Sequence, residues 1–294
     1  MGREVTLAAP AKLNLHLGIH DQLDERRYHR VDSVMIAVGL ADVVRVREGC
    51  PGLSVSMTQD VGASPQKNTA LVAARRLCSD FGREERYEIL VEKRVPAQGG
   101  LGGSSTDAAA VIRALCSLWG EDVRDERVVR VARSVGADVP FFLDPRPSYL
   151  AGAGDDLVRA FPDMSGLPVV LVMPSVGVST PEAYAEFDRH PTAPRSPEAI
   201  CRALAAGRRE EIPSLLYSNL EPAAFRLVGE GARVKEWLLG QRGVRGCQLT
   251  GSGSCVFAIC EDGHAARRIA SAARAVGDWW SSSCETVGLD ALIC

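Results

Sequence analysis

The sequence predicts an α+β fold in two domains, residues 1–162 and 163–294. Three features carry the prediction. A period-two stretch over 87–95 passes through a glycine-rich loop into a helix-patterned stretch over 108–118. A turn-rich segment at 151–155, followed by 161–167, interrupts the patterning and reads as a seam. Beyond it a second glycine segment, Leu249 to Phe257, sits between apolar stretches as strand, tight turn and strand. At 294 residues, both domains are large enough to bury a core.

In chain order, Leu13, Leu15, Leu17 and Ile19 alternate with Lys12, Asn14, His16 and Gly18, the period of a half-buried strand with Lys12 and Asn14 on one face. A polar segment over 21–27 leads to Tyr28 and His29, then to an apolar stretch over 34–40. Residues 41–56 read as two strands joined at Gly49, Pro51 and Gly52. Asn68 caps an amphipathic helix bearing Leu71, Ala74, Leu77, Cys78 and Phe81 on one face and ending at Gly82. In the next strand Tyr87, Ile89 and Val91 face one way, Glu88 and Glu92 the other.

A helix over 125–135 ends at Gly136 and delivers Asp138 ahead of Val139, Pro140, Phe141 and Phe142. A carboxylate beside such a run needs a cation, because unpaired burial is costly; Lys12 or any nearby Arg would serve. Residues 167–173 read as a buried strand. Ser179, Thr180, Pro181 and Glu182 then open a helix with an N-cap, an early proline and an acidic first turn, and Tyr184 lies within it. Three prolines mark 190–197 as a loop. Glu221 opens one helix towards Leu239, and a helix over 264–276 with a terminal strand completes the pattern.

A net charge of −3 argues against nucleic acid or an anionic membrane surface as partner and favours small soluble molecules. No apolar run approaches the ~18 residues of a membrane span, and Met1 to Pro10 lacks a signal-peptide core, so the expected compartment is the cytoplasm. Nine cysteines without a C-x-x-C pair are expected to be buried free thiols rather than a disulfide framework or zinc site.

The stretch Pro96-Ala97-Gln98-Gly99-Gly100-Leu101-Gly102-Gly103-Ser104-Ser105-Thr106-Asp107 is the most informative. Glycines let an anion approach the backbone. A helix starting here would direct unpaired N–H groups at Ser104, Ser105, Thr106 and Asp107 outwards, backed by a dipole end of roughly half a charge, so phosphate is the natural guest. A Walker loop needs Lys before the Ser or Thr, which is absent after Gly103; a dinucleotide fingerprint needs G-x-G-x-x-G, which is also absent. A glycine turn with a serine cap is the plain alternative, but four glycines and a serine pair ahead of an alanine run seldom serve capping alone.

The form P-x-x-x-G-L-G-G-S-S resembles the central motif of the GHMP small-molecule kinases. Other landmarks follow in that family's order: P-A-K-L-N-L from Pro10 to Leu15, Tyr28-His29, G-A-D-V-P-F-F from Gly136 to Phe142, S-T-P-E-A-Y from Ser179 to Tyr184, and L-T-G-S-G-S from Leu249 to Ser254. Each is weak alone, but their order and spacing span nearly the whole chain. Gln98 and Ser104 stand where glycine is common, tolerable if both keep negative φ, and the segment around Asn219 lacks the Asp of the family's N-D-L-E element.

The resemblance implies an ATP-binding N-terminal domain and a ferredoxin-like C-terminal sandwich with the substrate cleft between them. It implies ATP as co-substrate on the loop from Pro96 to Thr106, with Asn68 and Lys93 near the adenine, and Mg²⁺ bridging the phosphates through few protein ligands, its carboxylate unassigned. Lys12 and Asp138 would be catalytic, while Asn14, Tyr28, His29, Thr180, Tyr184, Gly251, Ser252 and Gly253 would bind the substrate, with Tyr28 and Tyr184 sandwiching a cytosine and His29 on its edge. The implied reaction is phosphorylation of the 2-hydroxyl of 4-diphosphocytidyl-2-C-methyl-D-erythritol, in the non-mevalonate route to isoprenoid precursors, by a monomer or homodimer. A homoserine or mevalonate kinase of the same family, or a non-catalytic nucleotide-binding protein, remains open at this point.

Overall fold

The computed structural model describes residues 2–59 and 68–292. In chain order its elements are β1 (Glu4–Leu23), β2 (His29–Glu48), β3 (Leu53–Met57), α1 (Thr69–Asp80), β4 (Tyr87–Glu92), α2 (Gly103–Trp119), α3 (Glu126–Val135) and α4 (Val139–Leu143). They continue with β5 (Ser148–Ala151), β6 (Asp156–Ala160), β7 (Pro168–Met173), α5 (Thr180–Arg189), α6 (Glu198–Ala205), α7 (Ile212–Leu215) and β8 (Tyr217–Ser218). The last are α8 (Glu221–Leu227), α9 (Gly229–Leu239), β9 (Val244–Leu249), β10 (Val256–Cys260), α10 (Gly263–Ala273) and β11 (Trp280–Glu285).

Two sheets divide these strands. The first runs β3-β4-β2-β1-β8, with β5 pairing β2 and β6. Alanines 108, 109, 110 and 114, with Val111, Ile112 and Leu115 of α2, pack with α1 on its outer face, because small residues let a helix lie close to the strands. The second sheet, β11-β7-β10-β9, is antiparallel throughout, with helices between β7 and β9 and between β10 and β11. That βαββαβ order is ferredoxin-like, and α9 and α10 cover its outer face. The inner faces meet: Leu13, Leu15, Val34 and Ile36 pack against Val169, Leu171, Phe257 and Ile259.

This layering revises several expectations. The β1 face carrying Lys12, Asn14 and His16 is not solvated; all three are at most 3 % exposed, because the turn after β9 and the 192–195 loop close over it. The helix expected from Glu221 to Leu239 breaks at extended Val228, where two glycines within three residues weaken continuation. Ser179 precedes α5 but makes no side-chain cap bond. Among the described residues the cysteines are free, yet Cys50 and Cys284 are only half-buried, and Cys294 lies outside the described residues.

Candidate active site

A cleft of about 1000 Å³ runs between the glycine loop, the start of β2, α5 and the tip of the β9–β10 hairpin. The loop enters it from β4 through Lys93 and Pro96 and leaves as α2. The helix starts at Gly103, one residue earlier than expected, after left-handed Gly102. Its free first-turn amides are therefore those of Gly103, Ser104 and Ser105, since the Thr106 N–H donates to Gly102 O at 2.8 Å. Thr106 is buried and does not line the cleft. Among the described residues the N–H groups of Gly99, Gly100, Leu101 and Gly102 donate to no other backbone carbonyl, which leaves a run of bare donors.

The second glycine segment braces the first. Cys255 N donates to Gly99 O at 3.3 Å, Ser254 N to Gln98 O at 3.1 Å, and Thr250 Oγ1 to Gly100 O at 3.3 Å. The approach is close: a Cβ on Gly100 would lie 2.0 Å from Thr250 O. Gln98 does not keep negative φ; it sits at +56°, and its carbonyl also accepts from Val178 N at 3.4 Å, so tertiary contacts hold a conformation suited to glycine. Ser104 is helical, as its substitution for glycine requires. Gly251 and Ser252 line the cleft, whereas Gly253 turns away with its N–H on Thr250 O.

Lys12 and Asp138 meet here. Lys12 Nζ lies 3.7 Å from Asp138 Oδ2, although 126 residues part them in the chain. The Lys12 side chain is 3 % exposed and that of Asp138 34 %, so the carboxylate faces the cleft from the N-terminus of α4 while the ammonium backs it. Burial lowers the Lys12 pKa, and Asp138 partly offsets this. Asn14 fixes the amine: its Oδ1 accepts from Lys12 Nζ and from Gly251 N, and its Nδ2 donates to Ser33 Oγ at 2.9 Å.

Asn68 and Lys93 line the same cleft. Asn68 caps α1 as expected, its Oδ1 accepting from Ala70 N and Leu71 N. The Lys93 ammonium is held between the buried carboxylates of Asp42 and Asp107. Burial opposes its charge, but the two carboxylates outweigh that and raise its pKa. Asp107 is pushed up to about 7, first by burial and then by sharing the cation with Asp42, against the pull of Lys93; its Oδ1 is buried without a partner. Sequence reasoning missed both acids. Asp42 lies inside the apolar stretch from Val34 to Val44, the same signal that singled out Asp138.

At the far end Tyr28, His29 and Tyr184 line the cleft. Tyr28 is 57 % exposed, and the His29 ring lies 5.6 Å from that of Tyr184. Both His29 nitrogens are engaged, Nδ1 with His20 O at 2.7 Å and Nε2 with Asp188 at 2.9 Å, so a ligand reaches that edge only by displacing or sharing Asp188. Thr180 lines the cleft and bonds Ser252 Oγ at 2.8 Å. Among the described residues no cluster of three ligating side chains is built for a metal, and no helix is long and apolar enough to cross a membrane.

Residues 68–144 match the GHMP kinases N terminal domain and residues 200–278 the GHMP kinases C terminal domain. The 4-diphosphocytidyl-2-C-methyl-D-erythritol kinase of Desulfitobacterium hafniense is 38 % identical over 91 % of this chain and 91 % of that protein. The Thermus thermophilus kinase of the same name is 36 % identical over 94 % of each. A crystal structure of 4-(cytidine 5'-diphospho)-2C-methyl-D-erythritol kinase superposes with a TM-score of 0.78 at 34 % identity, over 97 % of this chain and 100 % of that one. A homoserine kinase from Cytophaga hutchinsonii, TM-score 0.73 at 22 % identity over 98 % and 96 %, shares the fold.

Proposed function

We propose the reaction of a chain that belongs to the GHMP kinases, and among them to the 4-diphosphocytidyl-2-C-methyl-D-erythritol kinases: it phosphorylates 4-diphosphocytidyl-2-C-methyl-D-erythritol with ATP, at the 2-hydroxyl, in the non-mevalonate route. The observation that carries the mechanism is the Lys12–Asp138 pair beside a loop of unspent amides. The hydroxyl oxygen bonds to the γ-phosphorus, the bond to the β,γ-bridging oxygen breaks, and ADP leaves. Asp138 takes the hydroxyl proton as transfer proceeds. Such a transition state is loose, so positioning and charge stabilisation do most of the work. Lys12 orients Asp138 and offsets charge on the transferring group, while the amides from Gly99 to Ser105 hold the phosphates.

Mg²⁺, when bound with the nucleotide, neutralises phosphate charge. The donor set suits an ion carried by phosphate and water, since Asp138 is engaged by Lys12 and Asp107 by Lys93. Asn68 and Lys93 border the adenine. Tyr28 and Tyr184 flank the cytosine with His29 at its edge, and Asn14, Thr180, Gly251 and Ser252 border the rest of the acceptor. Gly253 acts through the turn it closes and Thr106 through the first turn of α2, where its N–H donates to Gly102 O. The boundary at 162/163 is supported by the end of β6 at Ala160 and the start of β7 at Pro168. The enzyme works in the cytoplasm on small molecules, as a monomer or homodimer.

A tyrosine pair around a pyrimidine has no counterpart in the needs of homoserine or mevalonate. A coupled assay with each of the three alcohols tests the assignment, with turnover expected on the cytidyl alcohol alone; phosphorylation of homoserine with indifference to it reverses the choice. In the same assay Asp138→Ala should fold and bind ATP yet lose about 10²- to 10⁴-fold in turnover. Near-native turnover removes Asp138 from the mechanism.

A further inference from the structure

The turn between β1 and β2 ends in a residue whose conformation is at odds with its identity. Asp24 N donates to Tyr28 O, Arg27 N to Asp24 O, and Tyr28 N to the Asp24 carboxylate, a tight turn that puts position 27 in the left-handed region. Glycine or asparagine suits such a position. The chain places Arg27 there, at φ +64°, and Arg27 lines the cleft immediately before Tyr28.

Its neighbour has a different task. Arg26 is spent on structure: it holds Asp24 at 2.9 Å and buried Asp155 at 2.8 Å, and lies 5.4 Å from the centroid of the Tyr28 ring. Among the described residues Arg27 has no ion-pair or hydrogen-bond partner for its guanidinium. The other two cations of the cleft are neutralised, Lys12 by Asp138 and Lys93 by Asp42 and Asp107. A cleft that must hold two polyanions at once therefore offers one uncommitted guanidinium, and it stands next in sequence to the exposed tyrosine face.

We infer that Arg27 is a specificity-determining residue that binds the diphosphate of the cytidyl substrate, while Tyr28 stacks on the base. This rests on the function proposed above, whose acceptor carries a nucleoside diphosphate. A guanidinium forks onto two phosphate oxygens, and a base stacked on residue 28 brings its diphosphate past residue 27. The unfavourable backbone conformation is retained for that contact.

The test compares wild-type enzyme with Arg27→Gly, Arg27→Ala and Arg27→Lys, measuring KM for both substrates, melting temperature, and calorimetric binding of cytidine diphosphate against cytidine. Arg27→Gly and Arg27→Ala should raise KM for the cytidyl alcohol about 10- to 100-fold, with KM for ATP changed by less than about twofold. Their preference for cytidine diphosphate over cytidine should fall by a similar factor, and Arg27→Lys should recover part of both. Arg27→Gly should at the same time melt about 2 °C higher, because glycine relieves the turn. An active Arg27→Gly enzyme with unchanged KM and unchanged diphosphate preference overturns the inference, as does an equal rise in KM for ATP. Wild-type enzyme that neither turns over the cytidyl alcohol nor binds cytidine diphosphate overturns instead the function on which the inference rests.

Discussion

Three aspartates decide how charge is arranged in and behind the cleft, and only one was picked out from the sequence. Asp138 announced itself by standing before four apolar residues, and its partner Lys12 was among the cations foreseen. Asp107 lay inside the glycine motif but was read only for its amide; its side chain turns inwards to Lys93, which no periodicity reveals. Its ordinary pKa is 3.8 and its value in the folded chain about 7. Between these, the folded chain keeps a proton that the unfolded chain has released, so the contribution of Asp107 to stability is intact below the lower value and declines as pH rises to the higher. Asp107→Asn removes that loss. Denaturant midpoints of wild type and variant, compared between about pH 4 and pH 8, should diverge in favour of the variant as pH rises and level off above about pH 7. A difference that is flat or runs the other way contradicts the assignment.

At the scale of elements, glycine spacing foretold that a loop would pass into a helix, but not how close a second element would come. Gly100 and Gly120 make the distinction measurable. Both have positive φ, +70° and +75°, yet a Cβ at Gly100 would strike Thr250 O while nothing lies within 4 Å at Gly120. Gly120→Ala should cost only the left-handed strain, about 1 kcal/mol, and leave ATP affinity intact. Gly100→Ala should add the clash, push the loop off the β9–β10 turn and weaken ATP binding at least ~10-fold, read by nucleotide titration of both variants. Equal affinities would mean that the turn does not shape the glycine loop for nucleotide. Gln98 belongs to the same argument: negative φ was the reasonable expectation for a non-glycine residue, and contacts with Val178 and Ser254 overrode it.

Across the whole molecule, the segment around Asn219 pins distant parts of the chain together. Its Oδ1 accepts from Ile19 N at 2.8 Å, and its Nδ2 donates to Ile19 O and Thr192 O, both at 2.9 Å. Asn219→Ala takes this partner from the buried Ile19 N–H and C=O and from the part-buried Thr192 carbonyl, at about 1–3 kcal/mol for each group that water cannot reach. A denaturation midpoint lowered accordingly, with unfolding still in one step, is the expected result; an unchanged midpoint would show that water replaces the side chain. The sequence by itself determined the alternating elements, the glycine loop that passes into a helix and the need of Asp138 for a cation, because these are written in local periodicity and residue chemistry. The tertiary structure alone decided that both faces of β1 are buried, how Asp42 and Asp107 share Lys93, and that among the described residues the Arg27 guanidinium is left uncommitted beside Tyr28. Those outcomes depend on which strands and turns pack together over long separations, and a residue's burial and charge balance are set by neighbours that the local pattern does not name.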